Sequence, residues 1–184
     1  MNASPDGLAY QARRVRRLGL PCGHDVRVVH QLDGILGPVT PQALLQTGNS
    51  LWAEWIRHPQ YTDPELLLGL DAGGILPTVA VALASGLPYR LAWKLDLDLP
   101  GKRRFSEPHA RRTDVFTYGD LAGARVLIVD DEVTTGETAG NLIAVLRDAG
   151  ATVAGVACLV EDTSGGAQAL LRQEGVPLCP LTRL

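Results

Sequence analysis

Apolar positions along the chain fall into two recurring patterns. Short runs rich in leucine, valine and alanine occupy residues 65–70, 89–94, 126–129, 152–160 and 176–181. Each has the length of a strand buried on both faces. Between these runs, apolar residues recur at helical spacing over 41–57, from Ile75 or Pro77 to about Ser85, from about Ala139 to Ala149, and over about 167–174. Thr40 reads as the N-cap of the first of these helices, with Pro41 at its first position and His58-Pro59 at its end. Leu44, Leu45, Leu51, Trp52, Trp55 and Ile56 of that helix are assigned to the core. Residues 7–19 read as a helix with a basic, solvated face, and Val26–Val29 as a short strand. Strands alternating with helices imply an α/β fold, a parallel sheet flanked by helices on both faces. Ligands of such sheets gather beyond the C-terminal ends of the strands, near the point where strand order reverses.

Composition narrows the field. With 184 residues, 46% hydrophobic and 20% charged, the chain suits one domain, 1–184, with an adequate core. A net charge of −3 gives no basic excess for nucleic acid. Cys22, Cys158 and Cys179 lack metal-ligand spacing and point to buried thiols in a reducing cytoplasm. Arg13, Arg14, Arg16 and Arg17 are followed by no apolar run, so the start is not read as a secretory signal, and no membrane association is expected.

The turns after two of the strands carry the candidate chemistry. Val126–Val129 runs into Asp130 and Asp131, then Glu132, Val133, Thr134, Thr135, Gly136, Glu137 and Thr138, and then a helix. Free amides and the positive helix end attract a phosphate, the threonine hydroxyls add neutral donors, and Gly136 lets the backbone come close. Two carboxylates beside that nest repel a phosphate unless they hold sugar hydroxyls or a hydrated divalent cation. The second turn, Asp71-Ala72-Gly73-Gly74, also joins a strand to a helix, and its glycines leave amides open to a ligand. Lys94 ends the next strand. A long basic stretch over 95–118 then carries Lys102, Arg103, Arg104, His109, Arg111 and Arg112, in the position of a lid.

Residues 126–138 resemble the phosphoribosyl pyrophosphate (PRPP) signature of type I phosphoribosyltransferases: hydrophobic strand, two acids, Thr-Gly and a small hydroxyl residue. The resemblance implies a Rossmann-like fold of that type with a flexible hood over 95–118, Asp114–Gly119 being its returning strand. It implies that Asp130 and Asp131 hold the ribose 2- and 3-hydroxyls, and contact Mg²⁺ indirectly through PRPP or water. Val133, Thr134, Thr135, Gly136, Glu137 and Thr138 would hold the 5-phosphate. Ala72, Gly73, Gly74, Ile75 and Lys94 would line the pyrophosphate site, with Lys102, Arg103 and Arg104 as hood candidates. In the family the pyrophosphate loop often contains a non-proline cis peptide.

Adenine and xanthine phosphoribosyltransferases are the most similar in layout, over residues 26–57 and 152–184. The implied activity is transfer of phosphoribose from PRPP to a purine of adenine or xanthine type, with a homodimer as the assembly. Residues 1–58 would form the acceptor side, which the resemblance places loosely at Val28–Leu36 and Glu161–Thr163. Asp162 reads either as a partner for an acceptor N–H or as a surface turn. Some relatives carry an acid where Thr134 stands, so a proton acceptor has to lie elsewhere. Glu132 and Glu137 are candidates, both read as solvent-facing or structural. The stretch 95–113 departs from the family's hoods, and the end at Leu184 lacks the longer tail of some xanthine-specific members, so a non-purine acceptor stays open. A second class of function, a PRPP-sensing regulator without catalysis, needs a DNA-binding module that the roughly 25 residues before the first strand do not accommodate.

Overall fold

The computed structural model describes residues 10–16, 26–108, 110 and 113–184. A five-stranded parallel sheet has the order β4-β3-β7-β8-β9. Its strands are β3 (Leu66–Leu70), β4 (Tyr89–Ala92), β7 (Arg125–Val133), β8 (Thr152–Glu161) and β9 (Leu178–Arg183). The chain passes from β3 through α2 (Ile75–Ser85) to β4 on one side, then returns to place β7 on the other side of β3. Strand order therefore reverses between β3 and β7, and their C-terminal ends flank the crevice where α/β sheets bind ligands. On the edge strand β9, Pro180 costs no ladder bond to a further strand.

Two hydrophobic clusters lie on the two faces of the sheet. One combines Leu67, Leu127, Val129 and Leu159 with Leu51 and Trp55 of α1 (Pro41–Arg57) and Val81 of α2. The other combines Leu68, Val126 and Ile128 with Leu142, Ile143 and Leu146 of α3 (Glu137–Asp148) and Leu171 of α4 (Ala167–Gln173). Each fully buried leucine or isoleucine adds roughly 1.5–3 kcal/mol. Close approach is built into the sequence: a Cβ on Gly48 would lie 2.2 Å from the Ala80 carbonyl oxygen, and one on Gly155 2.3 Å from the Trp55 ring. Among the helix residues expected in the core, Leu51 and Trp55 are buried and Leu44 and Trp52 are half-buried against them. Leu45 and Ile56, at 47% and 48% exposure, are not core residues; they flank the buried stripe rather than lie on it.

The helix expected over 7–19 is contradicted where the chain is described. Ala12–Arg16 forms β1, paired antiparallel with β2 (Val26–His30) in the register Ala12↔His30 to Arg16↔Val26. Helix propensity of alanine and arginine is a weak preference that a paired strand overrides. The rest of that stretch lies outside the described residues. Two boundaries also move. The signature strand continues through the acidic pair to Val133, because β8 goes on pairing with it at Asp130↔Cys158 and Glu132↔Val160. Helix α3 begins at Glu137, two residues before the expected start. No helix among the described residues is long and apolar enough to cross a membrane.

Candidate active site

A cleft of about 580 Å³ opens at the switch point. It is lined by Asp130–Gly136, by Leu70–Gly73 with Lys94 and Glu107, and by Val26 and Arg27 of β2. Thr138 and Ala139 of α3 complete it.

The two aspartates are held in different ways. The Asp131 amide donates to Asp130 Oδ1 at 3.0 Å. Burial, then the neighbouring Asp131 charge, pushes the Asp130 carboxyl well above the usual carboxylate range. For Asp131, burial acts upward, but hydrogen bonds to His30 and Asp130 and the influence of His30 outweigh it, so its carboxyl sits lower than usual. In the free cleft the pair thus favours an anionic Asp131 beside an Asp130 that takes up a proton readily.

His30 supplies the asymmetry. Its Nδ1 accepts from the Leu32 amide at 3.2 Å and lies 3.0 Å from the Tyr10 hydroxyl. A ring nitrogen that accepts a backbone N–H carries no proton, so in the neutral ring the proton is on Nε2, which faces Asp131 Oδ2 at 3.5 Å. His30 falls inside the broad acceptor range 28–36, but its contact with Asp131 spans 101 residues and is visible only in three dimensions. The local sequence does hold a signal for the turn: the His30 amide donates to Asp33 Oδ2 at 2.9 Å, closing a capping box on the short 3₁₀ turn Gln31–Asp33.

The β3–α2 loop presses against the acids. The Asp71–Ala72 peptide is cis. A Cβ on Gly73 would lie 2.1 Å from Asp131 Oδ2, and one on Gly74 would lie 2.8 Å from Leu70 backbone and 2.9 Å from Asp130 Oδ1. Both glycines are needed for close approach rather than for an unusual φ. Ile75 starts α2 and does not line the cleft. Asp71 Oδ2 accepts from the Lys94 amide at 3.2 Å, and Lys94 Nζ pairs with Glu107 Oε2 at 2.8 Å.

The loop after the acids has the form of an anion nest. Gly136 takes φ +79° at the start of α3, a left-handed conformation that favours glycine. From behind, the Ala167 amide donates to the Thr134 carbonyl at 3.2 Å, and a Cβ on Gly165 would lie 2.4 Å from that same oxygen. Val133, Thr134, Thr135, Gly136 and Thr138 line the cleft, whereas Glu137 is exposed and outside it.

The stretch 95–118 contains the expected hairpin, β5 (Arg103–Ser106) against β6 (Asp114–Thr117), with Trp93↔Phe116 tying it to the end of β4. Asn141 of α3 donates to the Ser106 carbonyl at 2.9 Å. The three basic candidates do not reach the cleft here. Lys102 pairs with Asp96 at 3.0 Å and Arg104 with Asp114 at 3.7 Å. Arg103 has its Nε buried without a partner, opposite Thr117, whose hydroxyl is likewise unpartnered. Among the described hood residues, Glu107 lines the cleft. His109, Arg111 and Arg112 lie outside the described residues.

On the acceptor side, two sequence readings are corrected. Asp162 is no surface turn: it is 5% exposed, accepts from Arg14 at 3.0 and 2.6 Å, and caps the turn Thr163–Gly165 through the Ser164 amide. The Arg14 hydrogen bonds hold its carboxyl well below the usual range. Glu132 is not solvent-facing: it lines the cleft, half-buried, and accepts from Thr134 Oγ1 at 2.8 Å.

Carboxylate oxygens are the hard donors that Mg²⁺ takes. Among the described residues no group of three or more His, Cys, Asp or Glu side chains converges as a metal cage. Two acids over an open cleft fit a hydrated ion that arrives with a polyphosphate better than a resident one.

Known proteins resemble this chain in sequence and in fold. The family profile described as phosphoribosyl transferase domain matches residues 40–172. Xanthine phosphoribosyltransferase of Chloroflexus aurantiacus is 36% identical over 126 residues, 65% of this chain and 60% of that protein. The chain thus spans less than two thirds of that relative. Adenine phosphoribosyltransferase of Streptomyces galbus is 36% identical over 143 residues, 75% of this chain and 76% of that protein. The crystal structure of adenine phosphoribosyltransferase from Thermoanaerobacter pseudethanolicus superposes with a TM-score of 0.73 at 18% identity, over 94% of this chain and 95% of that one. At that identity the likeness is one of fold.

Proposed function

The chain belongs to the phosphoribosyl transferase family, and from that premise we propose that it transfers the 5-phosphoribosyl group of PRPP to a ring nitrogen of a purine base, releasing pyrophosphate. One observation carries the reading. Asp130 and Asp131 and the hydroxyl-and-amide loop Thr134–Thr138 share one cleft, with Gly73 packed against the Asp131 carboxylate. The acids grip the vicinal diol, the loop holds the 5-phosphate, and these two anchors fix the direction in which C1 faces. Lys94 and the amides of Ala72 and Gly73 stand where the diphosphate leaves. The C1–O bond breaks with its electron pair going to the diphosphate, the acceptor nitrogen closes on the opposite face with inversion, and the proton that this nitrogen loses passes to water. Asp130 and Asp131 would hold a hydrated Mg²⁺, which would supply charge neutralisation for the diphosphate.

Lys102, Arg103 and Arg104 belong to this reading only through a hood position other than the one described, and Lys94 is the better-placed cation. The same reading takes the chain as one domain, working in the cytoplasm as a homodimer. Exposed Leu76 and Leu83 on α2 support an interface. Sedimentation checks the assembly. Titration calorimetry of PRPP with Mg²⁺, paired with a pyrophosphate-release assay on a base panel, tests the activity. Binding lost in both Asp130→Asn and Asp131→Asn is expected. PRPP heat that both variants retain refutes the assignment, and PRPP binding with no turnover of any base favours the sensor.

A further inference from the structure

We propose that the Glu107 carboxylate and the diphosphate of PRPP compete for Lys94, so that this hood acid has to release the lysine before PRPP is held; this rests on the phosphoribosyl-transfer reading above. Both residues line the cleft, and Lys94 Nζ stands 2.8 Å from Glu107 Oε2. The contact joins two parts of the fold. The Lys94 amide donates to Asp71 Oδ2 at 3.2 Å, which ties Lys94 to the loop that carries Ala72 and Gly73 into the cleft. Glu107 follows β5, and its amide donates to the Thr113 carbonyl at 2.7 Å, one step beyond the Ser106↔Asp114 pair. Asn141 of α3 holds the Ser106 carbonyl, and Phe105 and Val115 are buried in the same core cluster as Leu142 and Ile143. The base of the hairpin is thus packed down, and the Glu107 side chain is free to turn away without unfolding it.

The charge of the cleft makes this exchange necessary. Among its described lining residues five are acidic and two, Arg27 and Lys94, are basic. Asp130, Asp131 and Glu132 stand on β7, and Asp71 directly follows β3, so the sheet fixes the place of these four. Glu107 is the acid carried by the hood, and it already occupies the lysine that a diphosphate needs. An ammonium has three donors, but a diphosphate oxygen on one of them comes within roughly 5 Å of a carboxylate on another, and like charges at that range repel. The two side chains are only 24% and 28% exposed, so water screens that repulsion in part. The diphosphate carries more charge than a carboxylate and is anchored through the rest of PRPP, so it displaces Glu107. The free energy of breaking the ion pair is then subtracted from the affinity for PRPP. Ribose 5-phosphate has no diphosphate and needs no such exchange.

The test measures binding of pyrophosphate, PRPP and ribose 5-phosphate, each with Mg²⁺, by titration calorimetry on the wild type, Glu107→Gln and Glu107→Ala, with Tm as the control of fold. Both variants are expected to bind pyrophosphate and PRPP about three- to tenfold more tightly, the range of a part-buried charged pair, with ribose 5-phosphate unchanged. In a Lys94→Met background nothing holds Glu107 in the cleft, and the gain shrinks to less than about twofold. Asp96→Asn, which removes one negative charge from the exposed hood pair with Lys102, gives no such gain. The proposal is overturned if the Glu107 variants bind pyrophosphate and PRPP as the wild type does or more weakly, if the gain survives in full beside Lys94→Met, or if Asp96→Asn reproduces it. Each of these results leaves the PRPP reading standing as long as the wild type binds PRPP. No heat with PRPP or ribose 5-phosphate in the wild type removes that reading instead.

Discussion

Gly73→Ala is the sharpest test of how the cleft is built. The backbone at Gly73 is not left-handed, so alanine meets no conformational barrier there, and the whole effect comes from the new methyl group. That Cβ would stand 2.1 Å from Asp131 Oδ2, 2.2 Å from its Cγ and 2.3 Å from Oδ1, where real contacts keep at least 3.0 Å. One side has to retreat by about 1 Å, and the Asp131 carboxylate is the freer of the two. Overpacking of this kind costs about 1–3 kcal/mol. A cost of about 2 kcal/mol lowers the Tm of a chain this long by about 4–8 °C. A displacement of about 1 Å in a ribose-holding group lowers kcat/KM by about 100-fold. The assay is a double-mutant cycle: Tm by calorimetry for wild type, Gly73→Ala, Asp131→Ala and the pair, with ribose 5-phosphate binding measured on each single variant. In the Asp131→Ala background the three clashing atoms are gone, so the stability penalty of Gly73→Ala is expected to vanish. An equal penalty in both backgrounds would refute the packing argument, and unaltered ribose 5-phosphate affinity in Gly73→Ala would refute the functional one.

Other outcomes follow from the same geometry. Asp162 has a depressed folded-state pKa, so its stabilisation is full above the ordinary carboxylate range and fades as pH falls below it towards the folded value. Asp162→Asn should therefore lower Tm at neutral pH, by an amount that shrinks in acid; a pH-independent difference would count against the Arg14 pairing. Gly155→Ala drives a methyl group into the Trp55 ring at 2.3 Å and should cost about 1–3 kcal/mol in urea unfolding without changing substrate affinity. Lys94→Met should raise the KM for PRPP about tenfold or more while ribose 5-phosphate, which lacks the diphosphate, binds as before. Burial pushes the Cys158 thiol well above its usual range and Cys179 to about 11. Mass-spectrometric mapping after alkylation is expected to find both labelled only once the protein is denatured.

Local chemistry carried much of this molecule in its sequence. The Thr40 cap with Pro41, the unbroken apolar runs of β3, β7 and β8, and the acid–hydroxyl–glycine turn after β7 are patterns that neighbouring residues settle among themselves. Hence α1 appears where its pattern predicts, and both switch-point loops stand at the strand ends that the pattern marks. Periodicity also sets the limits: it marks the apolar stripe of α1 but not its edges, where Leu45 and Ile56 lie exposed. What the chain could not announce depends on partners far along it. β1 is a strand because β2 is there to pair with it, and Arg14 lies 148 residues from the Asp162 that orders it. His30 differentiates two adjacent aspartates across 101 residues. Glu132 reads as a surface acid until the fold brings it into the cleft and Thr134 donates its hydroxyl to it. Capping and alternation act through bonds and steric contacts a few residues apart, whereas burial and electrostatic bias arise only when distant segments exclude water from the same cleft. The place of the chemistry was therefore written in the sequence, and the division of labour among its side chains was decided by the tertiary structure.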